Sequence, residues 1–511
     1  MGMLAEKRGE RMSNNTEIST PIRLVLFSSE ECWACPEVEM IVHQVVGTSM
    51  GDIVHVSTID VDEDPEAASK YGVYKLPALM VNEEIVLHGS VTEDDVRDIL
   101  WTRLITEILK TEEIASLRKE NMLNITMNAL QSVSGEELVR PNIGDYVHLG
   151  TVLQTTLSMY ALDPLMPELF YLAGREVGKY GAMQYHLSML NRKIGITLRP
   201  NKRFNEFLKA IVSYYSNVDV LPYLLAEEAS YEKISDSEAR IYLKNLLTAC
   251  VSSEFTETTC DFTAGEIAGS AEAITGRFAI CIETACQSKG DESCVFHLKL
   301  VNDREETKRP LPLSEDKHAR HERRETFFEL LHEITLEIKD SLLMKKRLRP
   351  KIGDFVHISA LQTRIMGLKL MDEFSSSILY AAGREFGVVG PGKPILYEIA
   401  QTIHSSFPLR LGDAVKIMKK YLSHPTSYLG REYSFVQEDT IDEEQEKFVI
   451  RLFEYANSSG APNLGVKFCD FFAGYLAGRI HLLTEEDPQV IETACQGSGA
   501  NYCEFSIEPL G

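Results

Sequence analysis

The chain has 511 residues, 44% of them hydrophobic, and a net charge of −24. That length suits about three domains, and the apolar fraction is enough for packed cores. The acidic excess argues against a nucleic-acid partner, which needs clustered Lys and Arg. The longest apolar stretches, such as Leu24–Phe27, are far too short to span a bilayer. The first residues are charged and polar with no secretory apolar core, so the expected location is cytoplasmic. Ten cysteines in such a compartment point to metal or redox roles ahead of structural disulfides.

Residues 1–20 read as a flexible N-terminal tail. Arg23 to Ser29 is a short apolar, β-favouring run and predicts a buried strand. Glu30-Glu31-Cys32-Trp33-Ala34-Cys35-Pro36 follows, then a helical pattern to Val46. Ile53 to Ile59 predicts a second strand, and Asp64-Pro65 opens a short helix ending near Tyr71. Leu76 to Val81 and Ile85 to His88 predict a hairpin through Asn82-Glu83-Glu84. Thr92 and Asp95 form a capping box for a last helix with Val96, Ile99, Leu100 and Leu104 on its apolar face.

Cys32 sits at a helix N-terminus, where free N–H groups and the macrodipole favour a thiolate. Cys35 lies one turn further on and can attack a mixed disulfide at Cys32. Cys32 is therefore the expected nucleophile and Cys35 the resolving thiol. Half of a zinc site is the competing reading of CxxC, and a redox-inactive interaction module is another. Trp33 is expected to face a partner. The order βαβαββα over residues 21–108, with CxxC where the first strand becomes the first helix, resembles the thioredoxin/glutaredoxin-like family. The resemblance implies a thiol/disulfide protein partner and places Pro77 at the family's cis-proline facing the dithiol.

The rest of the chain is a duplication. Arg140-Pro-Asn-Ile-Gly-Asp-Tyr-Val-His148 repeats as Arg349-Pro-Lys-Ile-Gly-Asp-Phe-Val-His357. Tyr171-Leu-Ala-Gly-Arg-Glu176 repeats as Tyr380-Ala-Ala-Gly-Arg-Glu385. Cys260-Asp-Phe repeats as Cys469-Asp-Phe, and Ile282-Glu-Thr-Ala-Cys-Gln287 as Ile491-Glu-Thr-Ala-Cys-Gln496, all at an offset of 209. So long a period means two tandem domains, 109–300 and 325–511, not a solenoid. Helical patterns over 116–133 and 325–344 open the copies. Two β-like runs (around 229–250; Leu429 to Val436 and Lys447 to Tyr455) and a final hairpin complete each, giving an α+β domain with an antiparallel sheet. Residues 301–324 are charged with two prolines and read as an exposed linker.

Each copy carries the pattern C-x22-E-x2-C-x7-C: Cys260, Glu283, Cys286 and Cys294, then Cys469, Glu492, Cys495 and Cys503. Three thiolates and a carboxylate suit a closed, structural, tetrahedral Zn²⁺ site, and another thiolate-bound metal or an iron–sulfur centre is the alternative. Glu and Cys three apart on a strand face opposite ways, so a bulge or strand end is expected between them. Cys250 and Cys281 read as buried packing residues, His148 and His357 as satisfied core or loop residues. The Gly-Arg-Glu triplets read as helix packing plus a local ion pair.

This spacing resembles the 4-vinyl reductase domain family, whose sensor members hold zinc with the corresponding Cys, Glu, Cys and Cys beside a small-molecule pocket. The resemblance implies two zinc ions per chain and a small apolar ligand. The repeats hold no Trp, which the aromatic-sensing members use, and no phosphate-loop or dinucleotide fingerprint is present. The expected function is a redox-linked, small-molecule-binding sensor or adaptor. A thiol–disulfide oxidoreductase whose repeats recruit its substrate, and a non-enzymatic dimeric scaffold, are the rivals; a homodimer is compatible with all three.

Overall fold

The computed structural model describes residues 22–49, 53–109, 120–121, 123–124, 138–180, 203–217, 224–251, 254–309, 317–372, 374–390, 393–403, 407–423, 436–442, 447–461 and 463–509. The proposed tail, 1–20, and nearly all of the expected helix over 116–133 lie outside them. The chain forms two compact units, one up to Ile99 and one from Leu100. No helix among the described residues is long and apolar enough to cross a membrane.

The first unit is built on strands β1 (Ile22–Ser28), β2 (Val54–Asp60), β3 (Ala78–Val81) and β4 (Glu84–His88), in sheet order β2-β1-β3-β4. β1 and β2 run parallel; β3 is antiparallel to both β1 and β4. Helix α1 (Cys35–Ser49) follows β1, α2 (Pro65–Tyr71) follows β2, and α3 (Glu93–Leu109), whose residues from Leu100 count with the second unit, closes the series. This is the βαβαββα order expected. Asp64 accepts the Ala67 N–H at 3.0 Å and Pro65 occupies the first turn, where no N–H is missed. Thr92 and Asp95 make the reciprocal capping box at 3.0 and 3.2 Å. Val25, Phe27, Ala78 and Met80 form a buried cluster on one face of the sheet.

The second unit contains both repeats. Copy one runs β5 (Tyr146–His148), α4 (Leu149–Leu162), α5 (Met166–Tyr180), α6 (Arg203–Ser216), β6 (Glu228–Lys233), β7 (Glu238–Lys244), α7 (Asp261–Thr275), β8 (Phe278–Ala285) and β9 (Cys294–Val301). Then comes α8 (Lys317–Leu342). Copy two continues with β10 (Phe355–His357), α9 (Ser359–Met371), α10 (Ser375–Val389), α11 (Lys393–Ile403), α12 (Leu411–Leu422), β11 (Val436–Asp442), β12 (Lys447–Leu452), α13 (Asp470–Thr484), β13 (Pro488–Ala494) and β14 (Cys503–Pro509). Each copy holds a four-stranded antiparallel sheet, ordered β6-β7-β9-β8 and β11-β12-β14-β13. Of the expected run Leu429 to Val436, only Val436 lies among the described residues. The strand found there, β11, carries the polar sequence VQEDTID; it sits at the sheet edge, where polar residues are tolerated.

In each copy the helix bearing Gly-Arg-Glu packs directly on the helix that follows the first cluster cysteine. A Cβ at Gly174 would lie 2.0 Å from the Phe262 carbonyl oxygen, and one at Gly265 would lie 1.9 Å from that of Tyr171. Gly383 and Gly474 make the same approaches to Phe471 and Tyr380. Only glycine allows the backbones this close. Arg175 pairs with Glu272, and Arg384 with Asp487, each at 2.5 Å.

The copies are not separate beads. β5 pairs antiparallel with β10, Val147 opposite Val356. Asp145 accepts the N–H of Arg140 and Asp354 that of Arg349, both at 2.8 Å. Across the seam, Leu149 N–H donates to Asp354 O and Ile358 N–H to Asp145 O. The exchange is reciprocal, as in an isologous dimer. In the charged stretch 301–324, Asn302 to Glu306 are exposed, while Arg309, Arg320, Arg323 and Arg324 are half-buried. Arg304–Thr307 forms a 3-10 turn, and α8 already begins at Lys317. Arg309 pairs with Asp261 at 2.6 Å and Glu168 at 3.2 Å and stacks over Tyr171; Arg323 pairs with Glu257 at 2.6 Å. Arginine stems and guanidinium planes cover apolar surface while their charges are met by acids, so these arginines pack against the fold although their neighbours in the stretch are exposed.

Candidate metal centres and dithiol site

Cys32 and Cys35 are joined by a disulfide with Cα atoms 5.5 Å apart. Cys35 begins α1 and is buried, while Cys32 is half-buried in the turn before it. Trp33, between them, is 84% exposed. A groove of 570 Å³ beside Cys32 is lined by Trp33, Val61, Val73, Tyr74 and Leu76 among others. The Leu76–Pro77 bond is cis, and Leu76 lines this groove.

The four residues of each cluster are drawn from three places in the chain. Cys260 and Cys469 cap the N-termini of α7 and α13. Glu283 and Glu492 lie late in β8 and β13, and the register slips between Glu283 and Ala285 and between Glu492 and Ala494. That irregularity brings glutamate and the cysteine three residues on to one side. Next comes a 3-10 turn, Gln287–Lys289 or Gln496–Ser498. It ends on Gly290 or Gly499 with φ of +89° or +91°, which a side chain would oppose. The turn delivers Cys294 and Cys503 at the starts of β9 and β14.

In both sets one ligand atom per residue lies within 4.8 Å of all the others. In copy one the three Sγ···Sγ distances are 3.8, 3.8 and 3.9 Å; in copy two they are 3.9, 3.4 and 4.0 Å. A regular tetrahedron with metal–sulfur bonds of about 2.3 Å has an edge of about 3.8 Å. One carboxylate oxygen of each glutamate accepts an N–H, from Cys260 at 3.1 Å and Cys469 at 2.9 Å. The other oxygen, Oε1 of Glu283 and of Glu492, is buried and has no hydrogen-bond partner among the described residues. A buried, unsatisfied carboxylate oxygen beside three thiols is costly in an empty site and is explained by a cation. The donor set fits a divalent metal in both copies.

Burial pushes the Cys260 thiol well above its ordinary pKa, and raises Glu283 likewise, with the Cys286 charge adding to it. Cys469 and Glu492 shift the same way for the same cause. One sulfur in each set goes the other way because its neighbours donate to it: Cys286 falls, and Cys503 comes down to about 5. A bound cation would allow the remaining ligands to ionise. A net negative centre at a helix N-terminus is also favoured by the macrodipole.

Some polar groups around the clusters are not evident from the spacing. Thr248 donates to Cys260 Sγ at 3.3 Å and Ser288 lies 2.9 Å from Cys286 Sγ; Ser458 lies 3.0 Å from Cys503 Sγ. None recurs at the offset of 209, so repetition could not reveal them. Asp261 and Asp470 do recur, each following the first cysteine. Asp261 is held by Arg309 and Tyr160, and Asp470 by Lys369 at 2.5 Å. Cys281 is buried and its N–H donates to the Tyr171 hydroxyl at 3.3 Å, and Cys250 is half-buried. His148 and His357 cap α4 and the first turn of α9 from buried positions at the seam.

The fold and these sites define the class: a thioredoxin-fold domain with a CxxC disulfide, followed by a duplicated α+β domain carrying a Cys₃Glu cluster in each copy. A thioredoxin-domain family model matches residues 22–100, and the model of the 4-vinyl reductase domain matches 238–300 and 448–509. The thioredoxin of Methanocaldococcus jannaschii is 30% identical over 83 residues, 16% of this chain and 96% of that protein. The chain belongs to the thioredoxin family through this N-terminal domain, and it carries two 4-vinyl reductase domains. Uncharacterized protein MJ1642 of the same organism is 34% identical over 77 residues, 15% of this chain. The chain spans about half of that relative, 47% of its length. A trafficking protein particle complex subunit 3 from Naegleria fowleri aligns with 27% of this chain and 81% of its own. At 15% identity and a TM-score of 0.20 it carries no argument.

Proposed function

We propose that this protein is a redox-linked sensor or adaptor of a reducing, cytoplasmic compartment. Its two 4-vinyl reductase domains bind a small apolar molecule and each holds a structural Zn²⁺ through Cys260, Glu283, Cys286 and Cys294, or Cys469, Glu492, Cys495 and Cys503. The observation that carries the metal assignment is the Oε1 of Glu283 and of Glu492, buried without a hydrogen-bond partner among the described residues beside three sulfurs at tetrahedral spacing, found twice. The ion would tie a helix N-terminus to the end of the sheet hairpin and contribute folding energy there. The thioredoxin domain exchanges thiols with a protein partner, Cys32 attacking and Cys35 resolving, with Pro77 beside the reacting sulfur. The half-exposed position of Cys32 against the buried Cys35 supports that order. Metal analysis of the purified chain tests the centre of this reading: about two zinc per chain is expected for closed four-ligand sites. No metal in a folded chain removes it. For the dithiol, Cys35→Ser should accumulate mixed disulfides with partner proteins and Cys32→Ser should not; equal trapping reverses the assigned roles.

A second reading, a thiol–disulfide oxidoreductase whose duplicated domains recruit its substrate, draws support from the groove beside Cys32 and the exposed Trp33. It predicts reduction of a generic protein disulfide by the full chain, insensitive to loss of the metals from the duplicated domains.

A further inference from the structure

The two clusters share their ligands but not their surroundings. In copy one every sulfur has a polar partner of its own. Thr248 Oγ1 donates to Cys260 Sγ at 3.3 Å, Ser288 Oγ lies 2.9 Å from Cys286 Sγ, and the Gln287 N–H donates to Cys294 Sγ at 3.5 Å. Thr259 Oγ1 adds a third hydroxyl to the wall, 3.1 Å from Ser288 Oγ. At the offset of 209, Thr248, Thr259 and Ser288 become Asn457, Phe468 and Gly497. All three hydroxyls are gone from copy two.

What replaces them is incomplete. Cys495 Sγ accepts the Phe468 N–H at 3.4 Å, and Cys503 Sγ has Ser458 Oγ at 3.0 Å. For Cys469 Sγ the nearest such group among the described residues is the same Ser458 hydroxyl at 3.9 Å, which also lies 3.3 Å from Gln496 Oε1. Lys369 does not fill the gap, because its Nζ is bonded to Asp470 Oδ2 and Ser376 Oγ, both at 2.5 Å. Cys469 is also one half of the closest sulfur pair in either cluster, 3.4 Å from Cys503.

A thiolate that accepts hydrogen bonds shares its charge with the donors and is a weaker nucleophile; one without them keeps its charge on sulfur. From these two observations we infer that the copy-two centre is an oxidation-sensitive switch, with Cys469 the reacting sulfur and Cys503 its partner, while the copy-one centre is chemically quiet. This rests on the metal reading proposed above. The oxidant is a peroxide. The Cys469 thiolate attacks one peroxide oxygen, the O–O bond breaks, and the leaving hydroxide takes a proton to become water. The resulting sulfenic acid is attacked by the Cys503 sulfur; the S–S bond forms and the second oxygen leaves as water after protonation. Two thiolates have lost two electrons, hydrogen peroxide has gained them, and two ligands of that centre are withdrawn. Hydrogen peroxide is small enough to enter where larger reagents cannot, which matters because Cys469 and Cys503 are both buried.

The test uses the full chain with its zinc content measured beforehand. Hydrogen peroxide is added in limiting amounts, zinc release is followed with a chromophoric chelator, and disulfides are mapped by mass spectrometry. One of the two zinc ions should leave about tenfold faster than the other, the effect of one hydrogen bond to a charged group. The fast phase should coincide with a Cys469–Cys503 disulfide. Thr248→Val, which removes the donor to Cys260 without changing side-chain shape, should bring the slow phase toward the fast one. A chain that holds zinc at both sites but releases both at one rate, or forms a Cys260 disulfide first, overturns the inference and leaves the metal reading intact. The inference also fails if Thr248→Val leaves the slow phase unchanged. A chain that holds no zinc sinks the metal reading, and this inference with it.

Discussion

At the scale of single residues, the two glutamates decide what the clusters can hold. Glu283 uses one oxygen to cap α7 through the Cys260 N–H and leaves the other buried, with no hydrogen-bond partner among the described residues. Glu283→Gln keeps an acceptor for that N–H but removes the anionic oxygen. Zinc affinity at the first centre should fall at least about tenfold, with the second centre unchanged; a competitive chelator titration that still shows two equal sites would strike Glu283 from the ligands. That glutamate is legible in the sequence because it recurs with its cysteines at a fixed offset. Thr248 and Ser288 are not, because they differ between the copies and a hydroxyl near a sulfur leaves no spacing to read. His357 allows a pH prediction. Its Nδ1 accepts the Ser359 N–H at 3.2 Å, and burial draws its pKa down from 6.5 to about 4, with Arg140 reinforcing and Asp145 opposing the shift. Between those values the unfolded chain binds a proton that the native chain does not, so stability rises with pH through that window and is lost as pH falls through it. The full effect is on the order of 3 kcal/mol. His357→Asn, whose Oδ1 can accept the same N–H, should flatten most of that slope in denaturant titrations from pH 4 to 6.5. An unchanged slope assigns the pH dependence elsewhere.

At the scale of elements, each cluster depends on a pair of helices in backbone contact. Gly174 and Gly178 on α5 meet Gly265 and Gly269 on α7, with carbonyl oxygens about where side chains would stand. α7 begins at Asp261, next to the cluster residue Cys260, so the contact that seats the helix also seats the sulfur. Gly265→Ala would gain roughly 1 kcal/mol of helix propensity. Its Cβ, however, would stand 1.9 Å from the Tyr171 carbonyl oxygen. Overpacking against backbone costs about 1–3 kcal/mol or more, and the steric term wins. The variant should unfold at lower denaturant and retain less zinc in copy one than in copy two; full stability with both zincs bound would show that the helices can part freely. Much of this is readable in the sequence: the Gly-Arg-Glu triplets, the small residues after Cys260, the final hairpins and the need for a bulge after Glu283 are all local patterns. The strand at 436–442 is harder. Its edge position permits a polar sequence, and a polar edge strand looks like a loop when only hydrophobic period is read.

At the scale of the whole molecule, duplication has put two partners of an isologous contact on one chain. β5 and β10 exchange backbone hydrogen bonds around Val147 and Val356, both fully buried, and helix α8 lies against α4 with Thr335 receiving the Gln154 amide at 3.0 Å. The repeat offset reveals that two copies exist but not that they close on each other. A three-residue strand has too little pattern to predict its partner, and the charge of residues 301–324 does not reveal the ion pairs of Arg309 and Arg323 that tie this stretch down. The physical consequence is that the unit from Leu100 onward should lose protection as one body. Val147→Asp places an unpaired carboxylate at the centre of the seam, at a cost of about 3–5 kcal/mol unless water reaches it. Because Val356 is its direct partner, the loss cannot stay in copy one. Hydrogen exchange of the variant should show faster exchange at β10 and along α9, in copy two, together with β5 and α4 in copy one, while β1 and β3 of the thioredoxin unit exchange as before. If copy two keeps its full protection, the seam contributes little and the copies are stable alone. If the loss spreads through both, the seam is what makes one folding unit of the two domains and couples the stability of one Cys₃Glu cluster to the other.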